Sequence, residues 1–306
     1  MRIKLCGLVI WAAMLAAGLV SCQQEDDLPK GVKYPILFGY YDTRAVADLG
    51  DLKNDGFKVY AYFEGNTNNY ATFEKEVAYD EDKNVWGYQG LEYWIPGAKY
   101  WFKAFYPKNM AGLTVNNASS AQSYTITDYD ISSQSDLLVA TAKAEVGSDA
   151  TAPDSGSIVK LNFKHLLANV TISVLCELGS GVTVERVELR NVTTTGNYNG
   201  SWSAATKGSF GFNSNISVNK AKSDTDYVDI TDGGFLVVPE QINGTQKVYV
   251  KTSFKEYEIA FPTKYSWNSG QKYSYTLVVK QENIEFNEPK VEIWDEENAT
   301  GSVVIK

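Results

Sequence analysis

The sequence predicts an all-β protein built as two β-sandwiches in tandem. From Phe57 onward, short apolar stretches alternate with polar residues at a two-residue period, and almost no stretch has the 3.6-residue period of an amphipathic helix. Aromatic residues are abundant, with 20 Tyr, 13 Phe and 7 Trp, and together with the many Val and Thr they favour a pleated, half-buried surface. The chain has 306 residues, enough after loss of an N-terminal signal for one large or two ordinary domains.

Arg2 and Lys4 precede an apolar run from Leu5 to Val20. That run has the length of a secretory signal core and is too short and too broken by Gly and Ala for a membrane span. It ends in Leu19-Val20-Ser21-Cys22, which resembles the lipobox of bacterial lipoproteins. Residues 1–21 are accordingly read as a lipoprotein signal peptide and Cys22 as the acylated residue. Each buried CH2 of an acyl chain adds about 0.8 kcal/mol of membrane binding, so several chains on one cysteine tether the protein without spanning the bilayer. Gln23-Gln24-Glu25-Asp26-Asp27 looks like the acidic export tag that carries some lipoproteins to the outer face of the outer membrane. The plainer alternative is a secretory signal that happens to end near a cysteine.

Tyr34 to Tyr41 is a strand candidate with almost no polar face, suited to insertion between two layers of a core. Asp42-Thr43-Arg44 closes it and Ala45 follows; no other arginine lies between Arg2 and Arg186. An arginine in a polar break after a strand is a natural protease site, because proteases need exposed backbone. Ala45 to Lys53 predicts a short helical turn capped by Thr43.

Phe57, Val59, Ala61 and Phe63 then alternate with Lys58, Tyr60 and Tyr62 as a strand with one face on a core. An aromatic block from Val85 to Tyr93 and a turn at Trp94-Ile95-Pro96-Gly97 lead to a strong strand, Lys99 to Tyr106. Tyr124 to Thr127 and Leu137 to Thr141 are shorter strands. Ala142 to Ser157 is the one long polar stretch, and the domain boundary is placed there, giving 45–153 and 154–306. Beyond it, Val159, Leu161 and Phe163 alternate with Lys160, Asn162 and Lys164, and Leu166 to Leu175 reads as a buried strand. Val182 and Val184 share one phase and Val187 and Leu189 the other, so a β-bulge is predicted at Glu185-Arg186. Phe235 to Val238, Lys247 to Thr252, Tyr257 to Phe261, Tyr273 to Val279, Ile284 to Phe286 and Val291 to Ile293 complete the run of strands.

The formal net charge is −9, and removal of Arg2 and Lys4 with the signal takes it to −11. Phosphate binding needs a basic face, so nucleic acid is excluded as a partner. Of the three cysteines, Cys6 lies in the signal and Cys22 is the lipid site, which leaves Cys176 unpaired and the fold dependent on its core. His165 is the only histidine; beside Phe163 and Leu166 it reads as a core or interface residue, and without it neither a hydrolytic triad nor a zinc cluster can be assembled. Gly179-Ser180-Gly181 lacks the Lys of a phosphate loop and reads as a hairpin turn. Asp80-Glu81-Asp82 and Asp295-Glu296-Glu297 lack the ligand spacing of a calcium loop and read as solvated acidic loops. Trp86, Trp94 and Trp101 suit a core better than a sugar-stacking platform.

Several motifs recur in an order that resembles the fimbrillin (Mfa-like) family, the pilins of type V pili. They are the lipobox, Thr43-Arg44-Ala45, Phe57-Lys58-Val59-Tyr60-Ala61-Tyr62 and Trp101-Phe102-Lys103-Ala104-Phe105-Tyr106-Pro107. Asp136-Leu137-Leu138-Val139-Ala140, Phe163-Lys164-His165-Leu166-Leu167-Ala168-Asn169-Val170, Val237-Val238-Pro239-Glu240-Gln241 and the stretch from Trp267 to Tyr275 follow. The resemblance implies two transthyretin-like sandwiches, a structural role, no enzymatic activity and no cofactor or metal. It implies an outer-membrane lipoprotein precursor whose segment 22–44 is removed by a trypsin-like, Arg-specific protease cutting between Arg44 and Ala45. Tyr34, Ile36, Phe38 and Tyr40 would then leave with the first strand. A donor segment of a neighbouring subunit would replace it, and Val291, Ile293, Val303 and Ile305 are the donor candidates. The tail beyond Trp294, with Asn298-Ala299-Thr300-Gly301, is shorter than in the clearest stalk subunits. A tip subunit with a host glycan or protein ligand, and an anchor that keeps its lipid, are the related readings. A permanently tethered glycan-binding lipoprotein is the competitor from another class, and a secreted glycosidase the remote one.

Overall fold

The alternation read in the sequence becomes strand pairing throughout the region that the computed structural model describes, residues 33–40, 49–65 and 70–294. Cys22, Thr43, Arg44, Ala45, Val303 and Ile305 lie outside the described residues, as does the acidic loop at 295–297. In strand β2 (Phe57–Glu64), Phe57, Val59 and Ala61 are fully buried while Lys58 and Tyr60 stay partly exposed. Strand β2 sits in a six-stranded sheet ordered β10 (Phe163–His165), β8 (Leu138–Glu145), β5 (Lys99–Tyr106), β2, β3 (Tyr70–Asp80), β4 (Val85–Gly87). A short helix, α1 (Leu49–Asp55), precedes β2 and buries Leu52. The facing layer is small: β1 (Leu37–Tyr40) runs parallel to β9 (Ile158–Leu161), and the segment around Tyr93 lies antiparallel on the other side of β1. Between the layers lies a core that includes Phe38, Val59, Tyr100, Phe102, Val159 and Leu161.

The second sandwich packs two larger sheets. In one, β11 (Ala168–Cys176) runs parallel to β20 (Gln271–Val279). Strands β14 (Val228–Asp229) and β15 (Phe235–Val237) flank β11, while β21 (Ile284–Phe286) and β22 (Lys290–Ile293) flank β20. The other sheet is ordered β18 (Glu256–Ala260), β17 (Lys247–Thr252), β12 (Val182–Tyr198), β7 (Ser123–Asp130), β6 (Leu113–Asn116), with β13 (Trp202–Val218) along the opposite side of β12. A two-stranded pair, β16 (Glu240–Gln241) and β19 (Ser266–Trp267), completes the set. Val170, Ile172, Tyr275 and Leu277 from one sheet meet Val187, Leu189, Val248 and Val250 from the other. The phase change at Glu185-Arg186 is a register shift in both pairings of β12, so the bulge lies where the alternation slips.

The sheets do not divide strictly by sequence position. The boundary expected between 153 and 154 lies between β8 and β9, and β9 and β10 both pair within the first sandwich. Conversely, β6 and β7 cross from the N-terminal half into the sheet built on β12. The β6–β7 hairpin also reaches back over β2 and β5: Asn117 Nδ2 donates to the Ala61 carbonyl at 2.7 Å, and the Lys103 ammonium donates to the Gln122 carbonyl. A third apolar cluster, with Ile126, Leu137, Leu166, Leu167 and Val238, fills the junction, where Trp202 Nε1 donates to the Leu166 carbonyl at 2.8 Å. Residues 179–181 form a turn between β11 and β12, which belong to different sheets, so this is a crossing between layers and not the hairpin expected from the glycines.

Candidate functional site

The distinctive site is the slot occupied by β1. On one side, β1 follows β9 in parallel register, Phe38 opposite Val159 and Tyr40 opposite Leu161, with Leu37 N–H donating to the Ser157 carbonyl at 3.1 Å. On the other, Ile36 N–H donates to the Glu92 carbonyl at 2.8 Å and Trp94 N–H to the Tyr34 carbonyl at 3.0 Å. The segment from Tyr34 to Tyr40 is thus held on both sides in turn: β1 itself pairs with β9, and the residues that lead into it, Tyr34 and Ile36, bond the Glu92–Trp94 segment on the other side.

Alternation decides which side chains face inward. Ile36 and Phe38 are buried in the first core and Tyr34 packs partly against it. Leu37 and Gly39, on the opposite face, are only half-buried. The expectation of a strand sandwiched on both faces is corrected among the described residues: none of them forms a third layer over the outer face of this small layer, and the apolar Leu37 is only half-buried. Of Tyr40 only the backbone pairing is described.

The floor and walls of the slot are aromatic. The Phe38 ring lies 5.5 Å from Tyr88 and 5.8 Å from Phe102, the latter edge to face. Trp94 is buried beside Tyr100, ring centroids 4.8 Å apart, and its Nε1 reaches the Ser157 carbonyl at 3.3 Å, linking the two walls. Tyr88 donates its hydroxyl to the Ile36 carbonyl at 2.6 Å and accepts from Glu92 N–H at 3.2 Å. Lys75 of β3 fixes the outer wall, bonding the Gly90 carbonyl at 2.7 Å and the Glu92 carboxylate at 2.8 Å. The sequence alone reads Trp94 as part of a turn; the turn begins after it, and Trp94 is a wall of the slot.

Burial pushes the Tyr100 phenol up to about 12 from its ordinary 10.0, and Tyr275 in the second core likewise up to about 12. The folded chain therefore keeps protons that the unfolded chain releases above pH 10. The stability these neutral phenols contribute is complete below pH 10 and is lost as pH rises toward 12. Urea midpoints measured from pH 9 to 12 should fall across that window, with a shallower fall in Tyr100→Phe; a flat profile would contradict the assignment.

The donor candidates stand elsewhere. Val291 and Ile293 lie in β22, which pairs with β20 at Gln271–Ser274 in the second sandwich, and all four residues of β22 are exposed. The structure does not bring β22 to the β1 slot of the same chain. Just beyond β22, Trp294 stacks on His165 with ring centroids 3.6 Å apart and planes 6° from parallel, and its N–H donates to the Gly270 carbonyl at 2.7 Å. His165 is buried, with Nδ1 2.6 Å from Asp136 Oδ2, and sits at the junction of the sandwiches as an interface residue. Cys176 is buried and free.

The family described as fimbrillin-like matches residues 43–294. The chain belongs to the fimbrillin-like family. Membership makes it a structural protein of the fimbrial, cell-surface class and not an enzyme. The match begins at residue 43, just after β1. Among solved structures, this fimbrillin-like chain shares its fold with a candidate cell adhesion protein of Bacteroides uniformis at 17% identity, covering 87% of this chain and 100% of that one with a TM-score of 0.54. A candidate cell adhesion protein of Bacteroides ovatus is similar at 14% identity, with the same coverages and a TM-score of 0.55. The C-terminally truncated tip fimbrial protein Mfa3 of Porphyromonas gingivalis aligns over 80% of this chain and 96% of its own at 11% identity and a TM-score of 0.42. No curated protein matches the sequence.

Proposed function

We propose that this fimbrillin-like chain is a pilus subunit that assembles by replacement of its first strand. In this reading Cys22 carries the lipid that holds the precursor on the outer membrane. An Arg-specific, trypsin-like protease cuts between Arg44 and Ala45, and residues 22–44 depart with β1. The observation that carries the reading is the slot itself: the segment from Tyr34 to Tyr40 is bonded to two separate walls, to Glu92 and Trp94 through Tyr34 and Ile36 and to β9 through β1, and the family match starts immediately after it.

Departure of β1 leaves two unpaired backbone edges over an aromatic floor, which is the requirement for β-strand addition. Ile36 and Phe38 contribute roughly 1.5 to 3 kcal/mol each when buried, and an incoming strand regains that amount with the backbone bonds, before ordering and association losses. Val291 and Ile293, and further on Val303 and Ile305, have the same two-residue spacing as Ile36 and Phe38. To keep the pairing with β9, the incoming strand must run in the direction of β1.

The test is the N-terminal sequence and mass of the protein recovered from the cell surface, with and without an Arg-specific protease. A chain that begins at Ala45, and an Arg44→Ala variant that stays lipid-anchored and forms no fibres, are the expected results. Normal fibres from Arg44→Ala would overturn the reading. A chain that keeps acylated Cys22 and resists cleavage would make the protein an anchor subunit or a tethered glycan-binding lipoprotein.

A further inference from the structure

Strand β13 is paired on one side only. It runs antiparallel to β12 over 17 residues, from Trp202 to Val218, and no described strand pairs with its other side. From Ser209 onward Phe210, Phe212 and Ile216 pack against the second core, while Ser209, Asn213 and Ser217 are exposed. A strand of this length extends for about 56 Å at 3.3 Å per residue. About half of its backbone N–H and C=O groups point away from β12, as in any edge strand.

Such an edge is a template for another strand, and proteins ordinarily blunt it with charge, proline or brevity. The other edges here follow that rule: β18 carries Glu256 and Glu258, β22 carries Lys290 and Glu292, and β6 has four residues. Strand β13 has no proline, no carboxylate and one cation, Lys207, which is engaged at 2.7 Å by Glu240. Among the described strands β13 is the long one that leaves an edge unpaired and has neither acid nor proline along it.

We infer that the free edge of β13 pairs with the same edge of a second copy of this chain. Charge permits that partner, and the edge is complementary to itself. With a net charge of −9 for the whole sequence, copies repel over most of their surface, and association needs a contact without acidic residues. Antiparallel self-pairing about a two-fold axis near Gly211 sets Ser209 opposite Asn213 and Lys207 opposite Asn215, with no like charges facing. A two-fold contact closes on itself. It therefore joins two subunits, or two fibres side by side, and does not lengthen one fibre; the fibre case alone rests on the strand-replacement reading. Repeated along two fibres, a weak pairing is multiplied by effective concentration.

The experiment uses the full-length Arg44→Ala chain, extracted in detergent and followed by sedimentation velocity over a range of concentrations. A monomer–dimer equilibrium is expected. Ser209→Lys with Asn213→Lys, which sets like charges across the paired edges, should weaken the dimer about tenfold or more with an unchanged thermal midpoint. A chain that stays monomeric at every concentration, or a double-lysine variant that dimerises as tightly as its parent, overturns the inference. Long fibres from Arg44→Ala would instead refute strand replacement, and the dimer affinity of the double-lysine variant would still decide the edge.

Discussion

Replacement of Phe38 by alanine should lower the stability of the uncut chain by about 3–5 kcal/mol, the usual loss for a buried aromatic truncated to a methyl. Phe38 is 4% exposed and its ring meets Tyr88 and Phe102, so the cavity would open in the middle of the slot. Denaturant unfolding of full-length Phe38→Ala against the parent measures the change. Once residues 22–44 have been removed and β1 replaced, the same substitution should have no effect, because the residue is gone. A loss below about 1 kcal/mol in the uncut chain would mean that β1 contributes little to the core.

Trp94→Ala should also lose about 3–5 kcal/mol in the uncut chain, and unlike Phe38→Ala it should weaken the assembled form as well. Trp94 belongs to the slot and, under strand replacement, would remain when β1 leaves. It is 3% exposed, packs edge to face on Tyr100, and bonds the Ser157 carbonyl across the slot. Its removal takes away part of the floor and the link between the walls. Dissociation of fibres by heat in detergent is the readout: earlier dissociation for Trp94→Ala, set against unaltered fibres from Phe38→Ala, separates a wall of the slot from its first occupant. Equal fibre stability in both variants would contradict strand replacement at this position.

Much of this architecture was legible because burial writes itself into alternation. Lys99 to Tyr106 was read with the observed bounds of β5, since its inward residues are apolar and its outward ones include Lys99 and Lys103. The bulge at Glu185-Arg186 was legible for the same reason, because a slip in register moves the apolar set to the other face. Strands β3 and β13 escaped the reading. Most of β3 faces water, with exposed Glu74 and Glu76, and the first half of β13 after Trp202 is Ser, Ala, Thr, Lys and Gly, so neither shows an apolar stripe over its whole length; the alternation of Phe210, Phe212, Ile216 and Val218 is confined to the second half of β13. Pairing partners are less legible still. That β9 lies beside β1, more than a hundred residues earlier, depends on long-range contacts that no local pattern encodes. The slot was half visible: Ile36 and Phe38 were expected in the exchanged strand, but its walls at Glu92, Trp94 and Ser157 come from loops.

The exposed strand β22 has a mechanical meaning. A pull on the chain beyond Trp294 first loads the stacked Trp294 and His165 rings and the bond to the Gly270 carbonyl. It then opens the antiparallel ladder of β22 on β20 from the Ile293–Gln271 end, one pair after the next. No buried side chain of β22 resists, since all four of its residues are exposed. Under tension the four residues of β22 should therefore lengthen as a short spring, by about 3.3 Å for each one freed, while both apolar cores stay closed.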